Sequence, residues 1–276
     1  MTGAGLAAMR AKEGDAIVLR GDCYWRAVYP GFYQPVHLLA RVPASEVRRP
    51  ARLCWGFRAA LSAQDAHLAN ATLPVHLLTG VRDFHEEGLS RNRRGDLRRC
   101  RQLVEIRRLD DPTLLLEQGH EVFMSAVRRL GYWKPLSERA YRERVLRRTA
   151  HGPRLLVAGL IGGRLRGYID SYVIGDVLYN DEIFVSTNAL RTGIGTGLYV
   201  ETLHAAARNA SIRDVCNSLH RPHDVNLCRF KQGLGFRVVP VPARVQIRPP
   251  MRAFLRARRP ELYYRLTGDA RVLRAG

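Results

Sequence analysis

The chain has 276 residues, 46% of them hydrophobic, and 45 Lys and Arg stand against 25 Asp and Glu for a formal net charge of +20. Such length and apolar content bury a core in one large domain or two small ones and exclude a disordered polypeptide. No apolar run approaches the roughly twenty residues that span a bilayer, and Met1 to Gly14 lack the apolar segment of a signal peptide, so a cytoplasmic location is expected.

In chain order, the first hundred residues hold strand-like runs at Ala16 to Leu19 and Val36 to Val42, broken by Pro and Gly. Aromatic stretches occur there at Tyr24-Trp25 and Cys54-Trp55-Gly56-Phe57. A basic cluster follows, Arg91, Arg93, Arg94, Arg98, Arg99 and Arg101, interrupted by Asp96 and read as a solvated helix face or a phosphate track. Gln102 to Leu109 alternates as a strand. Asp111-Pro112 opens a helix to about Leu130, and Leu136 to Ala150 forms a second. Leu155 to Leu160 and Leu165 to Ile174 flank Gly162-Gly163 as a hairpin, and Gly175-Asp176 turns the chain into a strand from Val177. Beyond a glycine-rich loop and an amphipathic helix come a strand at Val215 to Leu219, a helix at Val225 to Gly233 and a last strand at Phe236 to Ile247. The tail after Pro249 reads as short helices with exposed arginines.

The loop carries the most chemistry. Arg191-Thr192-Gly193-Ile194-Gly195-Thr196-Gly197 joins the strand ending at Val185 to the following helix. Closely spaced glycines let backbone approach a diphosphate, and the free N–H groups at the helix start present a positive dipole end. No Lys-Ser/Thr pair follows Gly195 and no acidic residue ends the next strand, which sets aside nucleoside triphosphate and dinucleotide sites.

Five cysteines, Cys23, Cys54, Cys100, Cys216 and Cys228, are odd in number and without a C-x-x-C pair, so neither a disulfide framework nor a metal site is expected. Only Lys12, Lys134 and Lys231 are lysines among the 45 basic residues, so the surplus is almost wholly arginine. That charge suits tRNA, an anionic coenzyme or acidic lipids alike, or reflects coding composition alone.

The loop and its flanks resemble the GNAT superfamily of N-acyltransferases, whose coenzyme A loop reads Q/R-x-x-G-x-G/A before a helix. Gly193 and Gly195 fit, while Leu190 takes the first position and the arginine is displaced to Arg191. Upstream, Val177 to Val185 looks like the strand that carries a carboxylate near the acyl group; downstream, Asn226, Phe230, Lys231, Leu234, Gly235 and Phe236 look like the helix and turn that close the coenzyme site. The element order β-α-α-β-β-β-α-β-α-β is the GNAT order. Leu89-Ser90-Arg91-Asn92-Arg93-Arg94 and Phe230-Lys231 are also similar to the Fem-like branch, whose members pair two GNAT-like lobes.

The resemblance implies an α/β fold with a mixed central sheet flanked by helices. It implies a GNAT-like domain over 99–248, preceded by an extension or degenerate first lobe over 1–98 and followed by a basic tail over 249–276. The implied activity is transfer of an acetyl or similar acyl group from acetyl-CoA or another acyl-CoA to an amine on a small molecule or peptide. Two alternatives stand beside it: Fem-like transfer from aminoacyl-tRNA, and a non-catalytic acyl-CoA-binding module. Glu182 is the candidate base, with Asp181 as fallback, since strand neighbours alternate and only one can face the cleft. Lys231 replaces the tyrosine that family members often use to protonate the leaving thiolate, or it is a solvated helix residue. Phe184 and Val185 would polarise the thioester through backbone N–H groups, and Arg191 through Gly197, Asn226 and Phe230 would hold the coenzyme. On the acceptor side, Tyr132, Trp133 and Lys134 lie in the break between two helices, and His220 and His223 follow the fifth strand of the GNAT-like order.

Overall fold

Residues 1–131, 134–150 and 152–273 are described by the computed structural model of the protein. In chain order its N-terminal part contains α1 (Gly3–Lys12), β1 (Ile17–Arg20), β2 (Cys23–Tyr29), β3 (Phe32–Pro35), β4 (Arg41–Val42), β5 (Gly56–Leu61) and β6 (Ala71–Leu78). Then follow α2 (Arg91–Leu103), β7 (Glu105–Leu109), α3 (Thr113–Leu130), α4 (Glu138–Thr149), β8 (Arg154–Ile161), β9 (Arg164–Ile174) and β10 (Val177–Val185). The chain continues through α5 (Ile194–Ala207), β11 (Asp214–Leu219), α6 (Val225–Gly233), β12 (Arg237–Ile247), α7 (Pro249–Arg258) and α8 (Pro260–Thr267). From β7 to β12 this is the expected order, with ends moved by a few residues. Val36 to Val42 is strand only at Arg41–Val42. None of the described helices is long and apolar enough to cross a membrane.

Two compact units interleave along the chain instead of following it as consecutive stretches. One comprises Leu77–Asn217 and Asp224–Arg237 with Met1; the other comprises Thr2–His76, Ser218–His223 and Val238–Gly276. The GNAT-like order predicted for 99–248 therefore supplies both units, and the basic tail belongs with most of the N-terminal residues.

In the first unit the strands run β7-β8-β9-β10-β11, antiparallel except for the parallel pair β10 and β11. Gly162 (φ 57°) and Gly163 (φ 74°) make the tight hairpin turn between β8 and β9, a double positive φ that L side chains resist. Strand alternation divides the core into two faces. Val157, Ile169, Leu178 and Val185 pack with Ile194, Leu198 and Leu203 of α5. Leu156, Ala158, Tyr168 and Phe184 pack with Val122, Phe123 and Ala126 of α3 and Tyr141 of α4. Burying each of these large apolar side chains contributes on the order of 2 kcal/mol.

β10 is held unevenly. Its register with β9 reaches Val185, whereas its parallel register with β11 pairs Val177, Leu178 and Tyr179 with Asp214, Val215 and Cys216.

Strands of the second unit run in the order β1-β2-β3-β5-β12-β6, with β4 also on β5. β5 is buried at all six positions, Arg58 included. Trp25, Val42, Phe57 and Leu61 build one core cluster, and Phe32, Val245, Leu255, Tyr263 and Leu266 build another that seats α7 and α8.

Candidate active site

A short 3-10 segment, Thr187–Thr192, leads from β10 to Gly193, whose left-handed φ of 80° caps α5. A Cβ on Gly193 would stand 2.1 Å from the Asp96 carbonyl oxygen of α2, and one on Gly197 would stand 2.3 Å from Cys100 Sγ. Both distances are far inside contact, so these glycines let α2 lie directly on α5. Gly195 differs, because its Cβ would meet nothing nearer than the Phe230 ring at 3.8 Å. The glycine spacing is thus explained chiefly by helix packing, with one open position at the helix start. Arg99 Nη1 donates to the Arg191 carbonyl at 3.1 Å, and Thr192 Oγ1 donates to the Ala189 carbonyl at 2.7 Å. Arg191 and Leu190 are exposed, Ile194 is core, and the Thr196 hydroxyl is buried without a hydrogen-bond partner. Of the three glycines, Gly195 alone leaves room at the helix start; at Gly193 and Gly197 α2 already occupies the approach.

Glu182 and Asp181 do not divide between faces as strand alternation predicts. The β9 register slips between Asn180 and Glu182, and this bulge turns both carboxylates onto the same arginine. Arg148 Nη1 donates to Glu182 at 2.6 Å, Arg148 Nη2 donates to Asp181, and Arg148 Nε donates to Asp170 at 3.0 Å. Arg154 bridges Asp170 and Asp181, the latter at 2.9 Å, and Arg144 closes on Glu182. Three guanidinium groups thus face three carboxylates in a largely buried network, with Arg148 5% and Glu182 6% exposed at the side chain. Burial opposes the charge of Arg154, yet the Asp170 and Asp181 carboxylates outweigh it and raise its pKa. Both guanidiniums donate to the same Glu182 oxygen, Oε1, a use that suits an anchor better than a proton acceptor.

Lys231 is 3% exposed, so it is not the solvated helix residue that its composition allowed. Its ammonium donates to the Asn217 carbonyl at 3.0 Å, within the strand β11. The Asn217 side chain donates to Tyr199 Oη at 2.6 Å. Tyr199 of α5 stands edge-on to Phe230 and Phe236, with ring centroids 5.5 and 6.0 Å away. Arg93 of α2 lies over the other partner, 4.7 Å from the Phe230 centroid. Lys231, Phe230 and Gly195 are therefore brought together, joined by Tyr199, Asn217 and Arg93, which sequence reasoning did not select. Their spacing gave no signal, because a sheet end, two helices and a basic helix converge only in three dimensions. Arg144 and Arg148 were legible in part, since four residues apart on a helix they share a face.

The remaining candidates separate. Phe184 is 1% exposed in the α3-facing core, and the Val185 carbonyl accepts from Arg129 Nη1 at 2.9 Å. Asn226 and Lys134 are exposed, while Tyr132 and Trp133 lie outside the described residues. His220 and His223 belong to the second unit. There His220 Nδ1 is 2.7 Å from Tyr264 Oη and its ring is 5.4 Å from His76, whereas exposed His223 is 3.8 Å from Glu261.

No protein-family model matches the chain, and no curated protein matches it in sequence. Solved structures do resemble it in fold. The C-terminal domain of an Agrobacterium fabrum protein described as a lysylphosphatidylglycerol synthetase aligns with TM-score 0.63 at 10% identity, over 97% of this chain and 93% of that one. L-PGS from Bacillus licheniformis aligns with TM-score 0.60 at 9% identity, over 95% and 92%. FemX aligns with TM-score 0.61 at 10% identity, over 91% and 93%. At such identity the likeness is one of fold, and it spans both units.

Proposed function

We propose that the protein is a Fem-like acyltransferase that moves an aminoacyl group from charged tRNA to an amine acceptor. The observation that carries this reading is the seat of α2 on α5: Gly193 and Gly197 serve helix packing, so the loop that suggested a coenzyme A cradle no longer demands a diphosphate. Support for the donor comes from the likeness to FemX along both units and from the surplus of +20 charge, which suits a polyphosphate partner. Attack of an amine on an acyl carbonyl is common to both donors, and with charged tRNA the bonds change as follows. The acceptor nitrogen attacks the acyl carbonyl carbon, a C–N bond forms, the ester C–O bond breaks, and the departing ribose oxygen takes up a proton as the amine loses one. Lys231, a buried amine of α6 that reaches the Asn217 carbonyl of β11, is the group that supplies positive charge or a proton to that oxygen. Glu182 holds α4 to the sheet through Arg148 and Arg144.

An acyl-CoA donor is the second reading, favoured by the open position at Gly195 and the unpartnered Thr196 hydroxyl. The test supplies tRNA charged with labelled amino acids and, separately, labelled acetyl-CoA to the protein with a panel of amines. Label is expected to leave tRNA, and Lys231→Met should slow that transfer at least about tenfold while tRNA affinity holds. Transfer from acetyl-CoA alone would replace the donor, and acetyl-CoA binding without turnover from either donor would make the protein a binding module.

A further inference from the structure

Within the second unit, a pocket of about 270 Å³ is walled by Arg26, Arg58, Arg221 and Arg265, with Tyr29 and Gln34 also in its lining and, among the described residues, no carboxylate there. Arg58 is the unusual member. It sits in the fully buried strand β5 and is 3% exposed, yet every group it bonds is neutral. Its Nε and Nη2 donate to Gln34 Oε1 at 3.0 and 2.7 Å, and Nη1 donates to the Arg265 carbonyl. Burial, reinforced by the neighbouring Arg265 guanidinium, pushes the Arg58 pKa down to about 9, which still leaves it charged at neutral pH. Two more donors point the same way, since Arg26 Nε and Arg265 Nε are buried without a hydrogen-bond partner. Arg26 has one acidic neighbour, Asp15 at 3.3 Å, and that pair is partly exposed. Ser218, which also lines the pocket, holds a φ of 60° that a serine rarely adopts.

A buried charge with no counter-ion, among like charges, opposes folding unless a ligand repays it. Guanidinium forks match the oxygens of a phosphate group in pairs, and the orphaned Nε–H donors are what such an anion would satisfy. We propose that this arginine pocket is a binding site for a phosphate group, free or carried on a small organic molecule, whichever donor the enzyme uses. Leu38 and Leu266 in the lining would meet the carrier's apolar part.

The test is calorimetric titration of the full-length protein with inorganic phosphate, pyrophosphate and glycerol 3-phosphate at constant ionic strength, with acetate as control. Saturable binding of at least one phosphate compound, absent with acetate and weakened at least tenfold by both Arg26→Gln and Arg221→Gln, is the expected result. Glycerol 3-phosphate binding more tightly than phosphate would assign the carried form; the reverse order would assign the free anion. Arg58→Met should abolish binding while the protein still melts cooperatively, and if that variant does not fold the two glutamine variants decide. No saturable binding, or binding that survives both glutamine variants, overturns the site. So does binding that Gly195→Val removes and they do not, because the phosphate would then report the helix start of α5. None of these outcomes depends on acyl transfer, so failure here and failure of the proposed donor are read separately.

Discussion

Buried arginine occurs in both units, with opposite surroundings. In the first, Arg144, Arg148 and Arg154 meet Asp170, Asp181 and Glu182 charge for charge. In the second, Arg58 is bonded only to neutral oxygens and shares its pocket with three further arginines. The difference separates a structural use of charge from a binding use. A satisfied ion network ties α4 to the strands, whereas Arg58 keeps its charge among neutral partners at a cost to stability that a bound anion would offset.

Removing the central cation from each unit contrasts them most sharply. Arg148→Met leaves three carboxylates buried around an apolar group and should destabilise the protein by about 3–5 kcal/mol. Arg58→Met removes an uncompensated charge and should leave stability within about 1 kcal/mol or raise it. Thermal melts of the two variants check this, and equal losses would end the distinction.

Packing provides the next largest effect. Gly193→Ala places a methyl 2.1 Å from the Asp96 oxygen at a left-handed φ, and should cost about 3 kcal/mol, read by denaturant unfolding. A wild-type melting curve in that variant would mean that α2 does not bear on α5.

pH discriminates the arginine pocket from the paired network. With Arg58 lowered to about 9, phosphate affinity should fall about fivefold between pH 9 and pH 10 as the free pocket loses its proton. Stability moves the other way. Below pH 9 folded and unfolded chains both hold the Arg58 proton, and above it only the unfolded chain does, so this group's penalty is relieved as pH rises. Arg154 of the paired network should show no such loss of charge in that range, because the Asp170 and Asp181 carboxylates raise its pKa.

Gly195→Ala gives the smallest stability change. Its methyl has room, so the helix should hold within about 1 kcal/mol of wild type or gain slightly from Ala in place of Gly. A fall in transfer rate at unchanged melting temperature would identify Gly195 as the donor-facing position of the loop.

The sequence-level elements from β7 to β12 were legible because each depends on local chemistry. Gly162-Gly163 can only turn, Pro112 opens a helix, and apolar runs of strand length alternate toward two covered faces. Val36 to Val42 looked equally strand-like, yet it pairs only at Arg41–Val42, since apolar residues in a bend can bury as readily as residues in a ladder. Alternation also misled at Asp181 and Glu182, where one bulge residue brings both carboxylates to Arg148. Lys231 was selected by resemblance, but its burial and its bond to Asn217 follow from how α6 meets β11.

By itself, then, the sequence determined the mixed α/β class, the hairpin, a glycine-rich passage from strand to helix after Val185 and the excess of arginine, all properties of neighbouring residues. Which arginines find carboxylates, which glycines face a helix and which face open space, and how the chain interleaves two units were decided by tertiary structure. Those outcomes depend on groups far apart in the chain, such as Arg58 and Arg265, whose meeting no local pattern encodes.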